Sequence, residues 1–452
     1  MPDVPPRQPR RRIRTWEAAA LGGLLLAVVA VGALTARSQP AEPDRRGSDS
    51  ATSANPYEQA RRAGVQDLLN RWAGAVRGGD PAALAALFDR SAAPEFLASE
   101  IRRSEHLAAV PLADWGYEIG SDPETPVPTD LAEQLDATDV WAVPAYLRYA
   151  IEGADAGSTR KPVSLIVARR GENWTLVSDR SLPEYGRHTW RGPWDFGSVV
   201  VREVETGSRS SVVLGHSDQE ELIDAIAADL ADAVSSVTEL WGPEWSQRAL
   251  VVVSSSQEEF MEQVGADHSG SDIAAVAVSD VVEPGADSAT GQRVVFSPAA
   301  SERLDEDTRH SVLRHELTHV AARAATTDGS PMWMLEGFAD YAGHRDADAP
   351  VGRAAPILAA AVVAHGPPTR LPVDADFTAG GERAQAAYEL AWSVSAYVAD
   401  RFDEPTLREL YVDLATGPVD SHELDVKLHE AVGLSASEFV TDWGRWVAEG
   451  LD

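Results

Sequence analysis

The stretch His315-Glu316-Leu317-Thr318-His319 decides how the rest of the chain is read. Two histidines four positions apart lie on one side of a helix, about one turn from each other. Their imidazoles can therefore converge on a single metal ion. Glu316, next to the first of them, can reach a water on that ion. The mechanical reading of H-E-x-x-H is two zinc ligands and a general base. An ordinary amphipathic helix with two hydrogen-bonded histidines would carry the same letters, so the flanks matter. Leu304-Asp305-Glu306-Asp307-Thr308 supplies N-cap candidates and an acidic first turn. Leu313, Leu317, Val320 and Ala324 form a helical apolar stripe, which places the motif in mid-helix.

A second segment completes the set. Ser330-Pro331 reads as an N-cap with proline at the first helical position, followed by Met332-Trp333-Met334-Leu335-Glu336-Gly337-Phe338-Ala339-Asp340-Tyr341. A turn at Asp328-Gly329 lets this helix fold back on the first. Glu336 then faces the histidines as a third, oxygen ligand. Two histidines and one glutamate leave a fourth tetrahedral position for water, the catalytic rather than the structural arrangement. Asp340, one turn beyond Glu336, is placed to accept the free ring N–H of a ligand histidine, His315 by position. A solvated acidic face is the alternative for both carboxylates, but apolar residues interleave them as on a buried helix.

These residues resemble the gluzincin metallopeptidases, the thermolysin-like and aminopeptidase-like superfamily. His315 to His319 reads as in thermolysin-like enzymes. Trp333 to Tyr341 is similar to the glutamate helix of the aminopeptidase branch, and Glu336 to Asp340 has the Glu-x-x-x-Asp spacing of thermolysin relatives. The resemblance implies zinc on His315, His319 and Glu336, with Glu316 as base and Asp340 bonded behind a ligand. Sixteen residues separate His319 from Glu336, a little fewer than in either branch. The Gly-x-Met-Glu-Asn segment with which aminopeptidases hold a substrate amino terminus is not found, so the cleavage mode stays open. The motif resemblance covers about thirty residues, and the order of strands and helices extends it loosely over the C-terminal half.

At 452 residues, two or three domains are expected. The net charge of -32 is unevenly placed: residues 1–15 hold five arginines and one aspartate. So acidic a body argues against nucleic-acid binding. There is no cysteine, so any metal is held by nitrogen and oxygen. Arg7, Arg10, Arg11, Arg12 and Arg14 precede an apolar run from Ala18 to Leu34, with Trp16 at its edge. Seventeen residues at about 1.5 Å each reach the short limit of a membrane span. Positive-inside logic keeps the arginines in the cytoplasm and exports the remainder. A cleaved signal peptide, with a secreted product, is the alternative. The expected order is a basic segment at 1–15, an anchor at 16–36 and a polar linker at 37–56.

Residues 57–191 read as a first soluble domain. Val65, Leu68, Leu69, Trp72 and Val76 share a helix face; Gly78-Gly79 ends it, and Asp80-Pro81 starts a helix carrying Leu84, Leu87 and Phe88. Trp141 to Ile151 and Pro162 to Ala168 read as paired strands, and Gly171-Glu172-Asn173 turns into Trp174 to Ser178. Two helices before a curved antiparallel sheet resemble the NTF2-like cone fold. His106 and Asp114 are pocket candidates, although such residues are more often at the surface. The domain is expected to be a spacer or binding module.

Residues 192–452 read as the metallopeptidase domain. Strands are expected at Phe196 to Val204, Ser211 to Leu214, Ala249 to Val253, Ile273 to Val278 and Arg293 to Phe296, and helices from Asp218 to Trp241 and Gln257 to Val264. Ala274 to Val278 is the candidate edge for binding a substrate backbone. Further helices are expected near 354–365, 381–402, 405–415 and 422–432, and from Ser435, whose capping box uses Glu438. Tyr388 is a candidate hydrogen-bond donor to an oxyanion, weighed against plain core packing. His310 and His344 are read as surface residues.

The expectation is thus an α+β chain: an N-terminal anchor helix, an NTF2-like cone, then a gluzincin-like domain with a small mixed sheet, an active-site helix and a helical C-terminal part. Its function is zinc-dependent hydrolysis of peptide or protein substrates at the outer face of the cell membrane. The rivals are a non-catalytic, membrane-tethered binding protein on a peptidase-like scaffold, and an NTF2-like ligand-binding unit as the main function.

Overall fold

A computed structural model describes residues 55–265, 273–282, 288–347 and 350–451. The expected anchor at 16–36 and nearly all of the linker lie outside the described residues. Among the described residues no helix is long and apolar enough to cross a membrane.

The chain is an α+β structure with two sheets and many helices. It enters through α1 (Pro56–Gly78), capped by the Asn55 side chain and ended by Gly79 in the left-handed conformation. Val65, Leu68, Leu69, Trp72 and Val76 are buried along one face, as their spacing predicts. The Asp80 carboxylate accepts the backbone N–H groups of Ala82 and Ala83 and so starts α2 (Pro81–Ala85).

Next comes α3 (Pro94–Leu107), a helix the sequence reading missed. The reason is physical: its buried face includes Glu100, Arg103 and Ser104, so its pattern looks polar. Glu100 accepts the Trp72 indole N–H at 2.8 Å, and Arg103 bridges Glu100 and Asp195. The antiparallel sheet β1 (Leu112–Ile119), β2 (Asp139–Ile151), β3 (Thr159–Arg170) and β4 (Asn173–Ser178) follows, interrupted by α4 (Thr129–Leu135) between β1 and β2. Strand β1 was also missed.

The second sheet has the order β5 (Val200–Thr206), β6 (Arg209–Gly215), β7 (Leu250–Val253), β9 (Arg293–Phe296), β8 (Ala275–Val278). Strands β6, β7 and β9 are parallel, and both outer strands run antiparallel to their neighbours. The expected strand from Phe196 starts only at Val200. One helical turn, α5 (Pro193–Phe196), precedes it, because the Asp195 carboxylate folds back to accept the Gly192 N–H.

Alternate residues of this sheet bury on opposite faces. Val213, Val251, Val253, Val294 and Phe296 pack beneath α6 (Glu220–Trp241) and α9 (Glu306–Ala322). Leu214, Leu250, Val252, Val276 and Val295 join the core of the first sheet, with Trp115, Tyr149, Trp190 and Trp194. This explains the unbroken apolar run of β7: both of its faces are covered. Each such side chain contributes roughly 1.5–3 kcal/mol of transfer free energy before ordering costs. Between β7 and β8 lies α7 (Gln257–Val264), and α8 (Ala300–Arg303) leads into α9.

Beyond α10 (Met332–His344) the chain is helical. The helix expected near 354–365 is α12 (Pro356–His365), which Pro356 starts after one separate turn, α11 (Val351–Ala354). Then follow α13 (Asp374–Phe377), α14 (Gly381–Arg401), α15 (Glu404–Leu414), α16 (Ser421–Val432) and α17 (Ala436–Glu449), the last opened by the Ser435–Glu438 capping box.

Candidate metal centre

The helix that carries the two histidines, α9, begins where the Asp305 carboxylate accepts the Thr308 N–H. It ends at Ala322, two residues earlier than the apolar stripe predicts, and Ala324 is exposed. Helix α10 begins at Met332, with Pro331 in the N-cap position. Ser330 is therefore not the cap: its hydroxyl donates to Thr327 O and accepts Gly417 N–H. The Met332 N–H is instead taken by the Asp374 carboxylate at 3.0 Å, a partner 42 residues away.

Two glycines let α10 approach its neighbours. A Cβ on Gly337 would lie 2.4 Å from the Ala391 carbonyl oxygen of α14, and one on Gly343 would lie 2.8 Å from the Ser311 oxygen of α9. With hydrogen there instead, Glu336 is held against the histidines.

His315, His319 and Glu336 are all buried, and their potential ligand atoms lie within 4.8 Å of one another. The two Nε2 atoms are 3.1 Å apart; Glu336 oxygens stand 3.6 Å from His315 Nε2 and 3.9 Å from His319 Nε2. Zinc bonds of about 2.0–2.1 Å at tetrahedral angles give donor separations of roughly 3.3 Å, so the triangle is of the right size. Behind it, His315 Nδ1 donates to Asp340 Oδ1 at 2.8 Å, which aims Nε2 inward.

Neither Glu336 oxygen has a hydrogen-bond donor, although the residue is fully buried; Glu316 Oε1 is likewise unpartnered. A buried carboxylate in that condition is costly unless a cation faces it. Burial opposes a charge on His315, but Asp340 and Glu336 overcome it and hold its pKa well above the usual value. Burial, with the charge on His315, holds His319 well below its usual value. Burial pushes Glu316 up to about 7 and also raises Glu336. The donor set, its size and the unpartnered, buried Glu336 carboxylate all fit a divalent ion.

Tyr388 sits in α14, buried, with the Phe377 ring edge-on at 5.2 Å. Burial first, then the charges of Glu336, Asp340 and Glu316, raise its pKa well above the ordinary phenol value. Strand β8 is the outer strand of its sheet, and the Ala277 backbone N–H bears on the Glu316 carboxylate. The other candidates are not brought together. His106 Nδ1 bonds Trp194 O at 2.8 Å, while Asp114 pairs with Arg148 at 2.6 Å. His310 pairs with Asp229, and His344 Nδ1 donates to Asp340 O at 2.9 Å.

Sequence reasoning missed the residues around His319: Ser279, Arg323, Thr326, Leu335 and Tyr411. Arg323 alone had a signal, since it follows His319 by one helical turn.

Among solved structures, the chain is similar to M1 zinc metallopeptidases. One, from Deinococcus radiodurans, is 14% identical with a TM-score of 0.31, covering 62% of this chain and 58% of that one. A two-domain M1 zinc metallopeptidase mutant bound to L-arginine is 15% identical with a TM-score of 0.34, covering 61% and 58%. This chain thus spans less than two thirds of their length. No protein-family model matches it, and no curated protein does. What the site does rests on its own geometry.

Proposed function

We infer that this chain is a membrane-anchored, extracytoplasmic zinc peptidase of the gluzincin type. The observation that carries this reading is the Glu336 carboxylate, buried, without a donor, and beside two imidazole Nε2 atoms. When bound by His315, His319 and Glu336, zinc supplies polarisation of the scissile carbonyl and a lowered pKa for water. Glu316 receives the proton of the attacking water and passes it to the leaving amine. Asp340 keeps the His315 ring in one tautomer and orientation. The Tyr388 hydroxyl donates toward the negative charge that develops on the carbonyl oxygen. Strand β8 takes the substrate backbone as an added strand along its free edge.

The rest of the chain serves delivery. Residues 1–15 stay cytoplasmic, 16–36 anchor the chain, 37–56 tether it, and 192–452 form the peptidase outside the cell. Residues 57–191 form an NTF2-like spacer or binding module. Their helices before an antiparallel sheet support this reading.

Elemental analysis and peptide hydrolysis test the site. The protein should hold one zinc and lose hydrolysis to a chelator. Glu316→Gln should keep the zinc and lose at least about a hundredfold in kcat, the scale of a general base. If no zinc is retained after resupply, the reading fails and a non-catalytic binding scaffold replaces it.

A further inference from the structure

Beside His319 lies a cavity of about 20 Å³, room for one water or a methyl group. Its floor is apolar, formed by Val320 of α9, Leu335 of α10 and Tyr411 of α15, all buried. One wall is the end of β8, Ala277 to Ser279, the free edge of the sheet. Gln292, Arg323 and Thr326 close the remainder.

The polar groups of this wall are already committed. Arg323 donates through Nε to Ser279 Oγ at 2.9 Å, and through its two terminal nitrogens to Thr326 O at 2.7 Å and Asp328 Oδ1 at 3.3 Å. Thr326 Oγ1 and the Tyr411 hydroxyl share a hydrogen bond of 2.9 Å. Gln292 Nε2 donates to Val320 O at 2.7 Å. Widening the cavity breaks part-buried hydrogen bonds or displaces Leu335, which precedes Glu336 on the same helix. Its shape is therefore stiff.

We propose that this cavity, resting on the peptidase reading, is the side-chain pocket for one residue flanking the scissile bond, and that it restricts the substrate there to glycine, alanine or serine. A peptide laid on β8 directs alternate side chains toward the helix layer, where the pocket opens beside His319. Leu335 is the specificity-determining residue, because it is the one floor residue in the helix that supplies Glu336.

The test uses the full, zinc-loaded chain. A peptide library should show, at one flanking position, a preference of about tenfold or more for small residues over leucine and phenylalanine, the discrimination a small, stiff pocket provides. Leu335→Ala should admit leucine and methionine at that position and leave the other positions unchanged. If that variant does not fold, Leu335→Val should broaden the preference in the same direction by a smaller factor. A second arm measures binding: Glu316→Gln should bind a peptide with alanine at that position more tightly than its leucine counterpart, by a similar factor. Cleavage without any small-residue preference, or a profile unmoved by both Leu335 variants, overturns the pocket assignment. Discriminating binding without hydrolysis by the parent chain overturns the peptidase reading and keeps the pocket. Neither binding nor hydrolysis overturns both.

Discussion

Asp340 shows how much one side chain behind the candidate ligands decides. Its bond to His315 Nδ1 fixes which ring nitrogen faces inward. Removing such a partner costs about 10–100-fold in metal affinity. Asp340→Ala should therefore lose zinc to a competing chelator 10–100-fold more readily, while its unfolding midpoint in excess zinc changes little. Asp89 gives a test in pH. Although burial opposes its charge, hydrogen bonds from Arg170, Ser91 and Thr175 hold its pKa below the ordinary aspartate value. A depressed folded-state pKa means stability that is present above the unfolded value of about 3.9 and lost as pH falls through the folded one. The stability gap between the parent and Asp89→Asn should be full at neutral pH and close as pH drops below about 4, read from denaturant midpoints across pH. A gap independent of pH would reject this account.

At the scale of elements, the site depends on how closely helices approach. Helix α10 touches α14 at Gly337 and α9 at Gly343, and no motif announces either contact. Gly337→Ala would push a methyl group into the Ala391 carbonyl oxygen, a backbone atom that cannot turn aside. Overpacking of this kind costs roughly 1–3 kcal/mol. The variant should unfold at lower denaturant and also retain zinc less well, because the shift moves Glu336. Normal zinc retention in the destabilised variant would show that α10 is not positioned by this contact. The elements that were read well are those whose periodicity is plain: α1, α6, β7 and α17. One element that was missed, α3, hides its buried face behind polar residues that find partners only in the folded chain, such as Glu100 with Trp72.

Across the whole molecule, the two sheets share one apolar layer, and charges buried beside it tie the halves together. Asp155, at the turn between β2 and β3, pairs through both oxygens with Arg293 of β9. Both side chains are less than a tenth exposed. Breaking a buried pair by removing one partner costs about 3–5 kcal/mol. Asp155→Asn should shift the unfolding transition by that amount while keeping it single, since the shared core couples both sheets. Two separated transitions in the parent protein would contradict such coupling.

The local sequence determined which residues share a helix face: His315 with His319, and Glu336 with Asp340. H-E-x-x-H and Glu-x-x-x-Asp are helical spacings, and a helix obeys its own period wherever it lies. It also determined the run of β7, since a strand covered on both faces must be apolar throughout. The tertiary structure decided what spacing cannot reach: that Asp374 rather than Ser330 caps α10, that Tyr388 is buried against Phe377, and that His106 and Asp114 do not meet. It also decided the size of the pocket between Leu335, Tyr411 and the end of β8. Those outcomes depend on residues distant in sequence arriving at one point, and only the packing of whole helices and sheets sets where that point lies.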